Sequence, residues 1–349
     1  MATEPVIGWD LGGAHLKAAR LEAPGAVERV VQVPCPLWQG LHHLDAAFRQ
    51  VLPVLGLARL HAATMTGEMV DLFPDRGAGV SRLVTALQQR LPPPDRAVWF
   101  YAGADGFVDA ARAVAVAPRV ASANWQASAA LVAACLPAAL FVDIGSTTTD
   151  LAVVQGGRVH ARGRGDAERL SAGELVYTGV VRTPVMALAD RVPFAGERVP
   201  VVPELFATAA DVYRLTGQLP ETADQHPAAD GGEKSVAGSA RRLARMIGRD
   251  AAAAPLAAWV GLAAWLARAQ ARRIEDAWER LVSREGLAPD APVVVAGVGR
   301  FVAAELGRRQ GRPCIEFGSL VPGREAERNG ATDCAPAVAV AWLAQRDLS

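Results

Sequence analysis

A chain of 349 residues carrying 36 basic and 36 acidic side chains has no bulk charge to draw it to nucleic acid or to an anionic membrane surface, and it is long enough for two domains that each bury a core. The four cysteines, Cys35, Cys135, Cys314 and Cys334, form no C-x-x-C pair, so they fit buried or idle thiols in a reducing cytoplasm better than a disulfide frame or a zinc site. The N-terminus enters an apolar strand with no charged-then-apolar leader, and the Ala-rich runs 127–134 and 251–266 are broken by Pro, Trp or charge; the expectation is a cytoplasmic protein without a transmembrane span.

The first stretch with chemical content is 6–21, VIGWDLGGAHLKAARL. It reads as an apolar strand, Asp10, one apolar residue, Gly12 and Gly13, a short polar turn, and a second strand carrying Lys17. After it, 27–33 reads as a strand, 34–40 as a loop and 44–55 as a helix by apolar spacing. Residues 62–66 read as a short strand, 81–90 as an amphipathic helix stopped by Pro92, Pro93 and Pro94, and 98–101 as an apolar strand. His42 and His43 have no metal-binding partners nearby and read as solvated polar positions. Glu68 follows a strand end, where catalytic groups of α/β folds gather; its alternative is a helix N-terminal charge stabilised by the macrodipole. Asp71 and Arg76 rank below Glu68 as groups that touch the reaction and read equally as a surface pair. Asn124 opens the Ala-rich helix 126–135, either as its N-cap or as a ligand contact.

The second half opens on 141–154, FVDIGSTTTDLAVV, a β-hairpin whose turn holds Gly145, Ser146, Thr147, Thr148 and Thr149. Gly145 supplies the tight turn, and the crowded N–H and O–H donors suit a phosphate or diphosphate. Asp143 would then face an anion, which makes sense with a divalent cation between them. Asp143, Gly145 and Ser146 repeat Asp10, Gly12 and Gly13 in order and spacing, so the chain reads as a duplicated domain whose halves face one shared ligand.

Arg162 and Arg164 then read as a solvated loop or as an arginine fork on a diphosphate, and Thr178, Gly179 and Arg182 as substrate-side residues. A helix with Asp211 and Tyr213 over 206–215 precedes the polar loop 220–235, expected as a lid or surface loop. There Asp224 and His226 make only two potential metal ligands. An Arg-studded helix carries Leu243, Met246 and Ile247. A long helix follows with Trp259, Leu262, Leu266, Ala269, Ile274 and Trp278 on its apolar stripe, its Arg268, Arg272 and Arg273 neutralised by Glu275, Asp276 and Glu279. The strand 293–295 leads into a third glycine turn, Gly297 and Gly299; 315–317 is a last strand and 334–343 an apolar helix packed back across the domain junction.

The two hairpins resemble the phosphate-1 and phosphate-2 hairpins of the acetate kinase/sugar kinase/Hsp70/actin superfamily. WDLGGAHLKAA (9–19), TGEMVDLFPDRGAGV (66–80), ANWQASA (123–129), DIGSTTTDLAVV (143–154), GELVYTGVVRTPV (173–185), FATAADVYRLTG (206–217) and RRLARMIGRD (241–250) resemble, more narrowly, the hydantoinase/oxoprolinase-related proteins linked to methanofuran and tetrahydromethanopterin one-carbon metabolism. The resemblance implies an α/β fold of two ribonuclease-H-like (actin-like ATPase) domains around a central cleft. Residues 1–122, joined by the C-terminal helix 335–349, form the first domain, and 123–334, with a helical insertion, the second.

It also implies a synthase step of methanofuran-type cofactor assembly. An aminomethylfuran-methyl diphosphate would lose diphosphate to the phenol of a γ-glutamyl-tyramine or tyrosine unit, giving an aryl ether. Asp10 and Asp143 would hold Mg²⁺. Gly12, Gly13, Gly145, Ser146, Thr147 and Thr148 would bind the diphosphate, with Lys17 adding charge, and Glu68 or Asp150 would take the phenol proton. Gly297 and Gly299 stand at the superfamily's adenosine loop, but Val298 splits them, unlike the fuller Gly-Gly pattern of many kinases. That departure weighs against ATP, the alternative phosphate ligand. The expected partners are a small-molecule diphosphate and a phenolic acceptor, with no nucleic acid or membrane, and an oligomer is left open. The rival readings are an ATP-dependent kinase or amide hydrolase of the hydantoinase/oxoprolinase type, and a non-catalytic nucleotide-binding actin-like protein.

Overall fold

The computed structural model describes residues 4–22, 24–91 and 97–348. By its contacts the chain divides into one unit of Met1–Phe141, Ala152–Ser171 and Ile315–Ser349, and a second of Val142–Leu151 and Ala172–Cys314. In chain order the elements begin β1 (Val6–Leu11), β2 (His15–Glu22), β3 (Ala26–Pro34), α1 (His42–Leu55), β4 (Leu60–Met65), α2 (Arg76–Arg90), β5 (Ala97–Tyr101), β6 (Phe107–Val108), α3 (Ala110–Ala115), α4 (Ala117–Val120) and α5 (Asn124–Cys135). They continue β7 (Ala138–Ile144), β8 (Thr149–Gln155), β9 (Arg158–His160), α6 (Asp166–Ala172), β10 (Leu175–Val176), β11 (Arg191–Phe194), β12 (Glu197–Pro200), α7 (Ala209–Leu215), α8 (Val236–Arg245), α9 (Leu256–Glu285), β13 (Val293–Ala296), α10 (Arg300–Arg309), β14 (Cys314–Glu316), α11 (Glu325–Asp333) and α12 (Ala335–Leu348).

The first sheet runs β3-β2-β1-β4-β5-β6. Its first three strands are antiparallel, while β4 and β5 continue parallel from β1. β1 is buried at every position, as a strand covered on both faces must be. Alternation divides its side chains: Trp9 stacks on Phe48 of α1 at 4.8 Å between ring centroids and donates its Nε1–H to His61 Nδ1 at 3.1 Å. Gly8 turns the other way, where a Cβ would lie 2.0 Å from the Ala337 carbonyl oxygen of α12. The absent side chain is what lets that apolar helix lie directly on the strand.

The second sheet repeats the order, β10-β8-β7-β13-β14, with β9 also on β8. Between β10 and β13 the chain inserts the β11–β12 ribbon and helices α7 to α9. Their own core joins Val192, Phe194, Val212, Leu243, Trp259 and Leu262, with Phe194 and Trp259 stacked at 4.7 Å. No helix among the described residues is long and apolar enough to cross a membrane.

Several helix starts differ from the sequence reading because caps decide them. α2 begins five residues earlier than the apolar spacing suggested, at Arg76, since Asp75 Oδ1 accepts the Ala78 N–H at 2.8 Å. Its expected stop at Pro92, Pro93 and Pro94 lies outside the described residues. α7 starts at Ala209, behind a capping box of Thr208 and Asp211. Asn124 is not an N-cap: it is the first residue of α5, behind Ala123, which makes no side-chain cap.

Gly8→Ala should lower stability by about 1–3 kcal/mol, the usual cost of overpacking. Gly261 is a helical glycine with nothing within 4 Å of its would-be Cβ, so Gly261→Ala should be neutral or stabilising by up to about 1 kcal/mol. Denaturant unfolding of both variants checks the pair, and equal effects would contradict the packing described.

Candidate active site

β7 and β8 are apolar strands, and the turn joining them is half-buried. The Gly145 N–H donates to the Thr148 carbonyl at 2.9 Å, and in the first hairpin the Gly12 N–H donates to the His15 carbonyl at 3.0 Å. The two turns thus close in the same way, each two residues past its aspartate.

The second turn is held from behind by backbone. The N–H groups of Val180, Val181 and Arg182 donate to the carbonyls of Gly145 (3.1 Å), Ser146 (3.1 Å) and Ser146 (2.8 Å). In a trans peptide the C=O and N–H point in opposite directions. The N–H groups of Ser146 and Thr147, attached to those same carbonyls, therefore aim away from the holding segment. The hydroxyls of Ser146 and Thr147 lie 3.4 Å apart next to them, which makes a compact set of donors of the kind that binds phosphate oxygens.

Missing side chains permit this packing. A Cβ on Gly179 would fall 2.4 Å from the Thr147 nitrogen. Gly297, at φ +81°, would put one 2.3 Å from the Ile144 carbonyl oxygen and 2.4 Å from Asp143 Oδ1, so the Asp143 carboxylate sits against the Gly297 backbone. The Gly299 N–H also donates to the Ile144 carbonyl, at 2.8 Å. Behind the holding segment, buried Gln270 donates Nε2–H to Thr178 Oγ1 (2.6 Å) and to the Gly179 carbonyl (2.8 Å), and its Oε1 accepts from the Tyr213 hydroxyl (2.7 Å).

In the first unit Asp10 is 4% exposed and lies opposite Lys17 on β2 and Thr64 on β4. Cross-strand partners share a face, so Lys17 stands on the Asp10 side, its Nζ 3.9 Å from Asp10 Oδ2. The Gly13 carbonyl accepts the Leu37 N–H at 3.0 Å, and the Thr66 N–H reaches the Leu11 carbonyl at 3.1 Å. A Cβ on Gly67 would be 3.0 Å from that same Leu11 oxygen. The end of β4 therefore runs along the Gly12 turn and leaves Glu68 next to it.

Glu68 is 1% exposed. Its Oε1 accepts from Ser122 Oγ at 3.0 Å, and among the described residues its Oε2 has no hydrogen-bond partner. Burial pushes its pKa up; a backbone hydrogen bond, the Ser122 hydroxyl and the Arg76 charge oppose the rise, and the Asp166 charge adds to it. Ser122 itself has φ +51°, a left-handed conformation that a serine adopts at a cost.

A family model for hydantoinase/oxoprolinase matches residues 59–319. The chain belongs to the hydantoinase/oxoprolinase family. A curated relative from Methanocaldococcus jannaschii, named (4-{4-[2-(gamma-L-glutamylamino)ethyl]phenoxymethyl}furan-2-yl)methanamine synthase, is 27% identical over 246 residues, covering 70% of this chain and 72% of that one. A relative of the same name from Methanococcus vannielii is 31% identical over 111 residues, 32% of this chain and 50% of the relative. A solved structure of nucleotide-free acetone carboxylase matches with a TM-score of 0.57 at 10% identity, over 88% of this chain and 68% of that one. This family member thus shares the α/β fold of that solved structure, with one strand order repeated in its two larger sheets.

The other residues singled out from the sequence fall as follows in this hydantoinase/oxoprolinase member. Asp150 is half-buried on β8, opposite Leu175, and by alternation on the other face from buried Thr149. Thr178 and Gly179 back the phosphate-like turn, and burial lowers the pKa of Arg182. Arg162 and Arg164 are exposed. Asp224 is engaged by Arg214 (2.5 Å) and Lys234 (3.5 Å), and among the described residues no three His, Cys, Asp or Glu side chains gather as a metal site. Arg76 does not pair with Asp71 as expected: it reaches Asp166 Oδ2 at 2.8 Å.

The sequence reading missed Ser122, Asp166 and Gln270. Only Gln270 left a signal, as the one polar residue in the i, i+4 series of residues 262, 266, 270, 274 and 278.

Because the folded-state pKa of Glu68 is raised above its usual 4.5, ionising it opposes folding. Stability is fully present below that value and is lost as pH rises through the folded-state pKa. Glu68→Gln removes the loss, so its stability relative to the parent protein should grow from about pH 4.5 towards neutrality. Urea unfolding across that range checks this, and a difference independent of pH would contradict it.

Proposed function

We propose that this protein is a synthase that joins an aminomethylfuran-methyl diphosphate to the phenol of a γ-glutamyl-tyramine or tyrosine unit, in methanofuran-type cofactor assembly. The observation that carries the reading is the turn 145–148, in which the Ser146 and Thr147 amides are turned outward by the hydrogen bonds on the Gly145 and Ser146 carbonyls. The name of both relatives contains a phenoxymethyl-furan unit, which is the ether such a coupling makes.

The balance is simple. The phenol O–H gives its proton to a carboxylate, its oxygen bonds to the furfuryl carbon, and the bond from that carbon to the diphosphate breaks with both electrons leaving on the diphosphate. An electron-rich furan shares positive charge at the carbon, so stabilising the leaving group carries most of the catalysis. The donors of Ser146, Thr147 and Thr148 meet the charge that builds on the diphosphate without having to reorganise. Glu68, with its burial-raised pKa, is the first choice for taking the phenol proton, and Asp150 the second.

Mg²⁺ fits the donor set, because that ion binds through one or two carboxylates together with substrate phosphates and water. Asp143 offers such a carboxylate two residues before Gly145, against the Gly297 backbone; in the first hairpin Asp10 stands with Lys17 beside it. When bound, the ion neutralises charge on the departing diphosphate.

The family name favours a second reading, an ATP-dependent kinase or amide hydrolase, with the Gly297–Gly299 turn at the nucleotide. Mass balance separates the two. With the furan diphosphate, the phenolic acceptor and Mg²⁺ but no ATP, the synthase yields the ether and one diphosphate per ether. Asp143→Ala should cut that rate by about 100-fold or more. Turnover that requires ATP and yields ADP would replace the synthase reading with the second.

A further inference from the structure

We propose that Ser122 and Asp166 are positioning residues that form, with Arg76, a relay carrying the proton of Glu68 out towards solvent. The role in turnover rests on the synthase reading above; the relay itself is a property of the unliganded protein.

The geometry places a single hydroxyl between two carboxylates. Ser122 Oγ is 3.0 Å from Glu68 Oε1 and 3.4 Å from Asp166 Oδ2. A serine hydroxyl owns one proton and two acceptor lone pairs, so it can donate to only one of the two acids at a time. With Glu68 ionised, the hydroxyl donates to Glu68 and leaves a lone pair facing Asp166. With Glu68 protonated, the chain of donors is continuous: the Glu68 O–H donates to Ser122 Oγ, the Ser122 O–H donates to Asp166 Oδ2, and the Arg76 guanidinium lies 2.8 Å from that oxygen. A proton placed on Glu68 then leaves in three short transfers: from Glu68 to Ser122 as the Ser122 proton passes to Asp166, and from Asp166 to bulk water at the exposed Arg76 end. One proton enters, one leaves, and no electrons change hands.

Two further observations fit a relay better than a buried structural cluster. Exposure rises along the series, from Glu68 at 1% through Ser122 at 4% and Asp166 at 9% to the Arg76 side chain at 41%, so the path leads outward. Ser122 also keeps its left-handed φ of +51° where glycine or asparagine would sit more easily, and its hydroxyl is the feature that neither supplies. α2 meanwhile lies close against Glu68, because a Cβ on Gly79 would be 2.5 Å from the Glu68 carbonyl oxygen.

Arg76 comes from α2, and Asp166 and Arg169 come from α6. Arg169 is committed to the Trp125 ring of α5, 3.9 Å from its centroid. Met69 Sδ, 3.6 Å from Ser122 Oγ, is neutral.

The test is infrared difference spectroscopy of the full-length, ligand-free protein, with Glu68→Gln as the subtraction that isolates the Glu68 carboxyl band. Its titration midpoint should fall in Asp166→Asn, where a neighbouring negative charge is removed, and rise in Ser122→Ala and Arg76→Gln, where stabilisers of the ionised form are lost. Arg76 is exposed enough that its variant stays folded if the buried ones do not. In ether formation, Asp166→Asn should lower kcat by about tenfold or more, with KM within about twofold, and shift the pH profile in the same direction as the band. A Glu68 band unmoved in all three variants overturns the relay whatever the activity. A band that shifts as expected in a parent protein that makes no ether overturns the synthase reading and leaves the relay standing.

Discussion

Three backbone amides fixing two carbonyls is the constraint from which the second unit's chemistry follows. Once Val180, Val181 and Arg182 hold the oxygens of Gly145 and Ser146, the peptide planes of the turn have no freedom left, and their N–H groups face outward before any ligand arrives. Donors fixed in this way stabilise developing charge without reorganising. The arrangement demands close backbone approach, hence glycine at 179 and 297, and it demands support. The support comes from the middle of the 30-residue helix α9, which carries Gln270 to the Thr178 and Gly179 groups.

The first hairpin shares the closure of the second but has a different backing. The end of β4 lies along the Gly12 turn and delivers a buried acid, so the duplicated frame has diverged, with anion donors in one copy and a protonatable carboxyl in the other. Both depend on polar groups taken out of water, and in the second the cost is met by hydrogen bonds: Gln270 is buried and satisfied at both ends of its amide. Glu68 instead keeps one oxygen without a hydrogen-bond partner among the described residues. An incompletely satisfied buried acid with a raised pKa is what a functional group looks like.

The hairpins were legible in the sequence because everything that makes them is local: alternation, an aspartate at the strand end, and glycine two residues on. Their duplication added weight that neither had alone. The long helix was legible from its stripe, and the neutralised Arg268, Arg272 and Arg273 are exposed as expected. Ser122 and Asp166 were not legible, since their meaning lies in contacts 54 and 44 residues apart, and Arg76 found its acid 90 residues away instead of nearby. The polar loop 220–235 read as a lid or surface loop because its composition is polar and rich in Pro and Gly. It is a largely exposed segment without helix or strand, and its acids also complete ion pairs with half-buried and buried arginines, Asp224 with Arg214 and Asp230 with Arg242, partners on helices elsewhere in the chain that composition alone does not reveal.

The central claim is that the outward amides of the 145–148 turn bind diphosphate, and amide-resolved NMR tests it most directly. Titrating the isotope-labelled protein with inorganic diphosphate and Mg²⁺ should move the Ser146 and Thr147 amide resonances in a saturable way, with smaller changes at Val181 and Arg182, whose hydrogen bonds only carry the turn. Resonances of Ser146 and Thr147 that stay in place at saturating diphosphate would contradict the account.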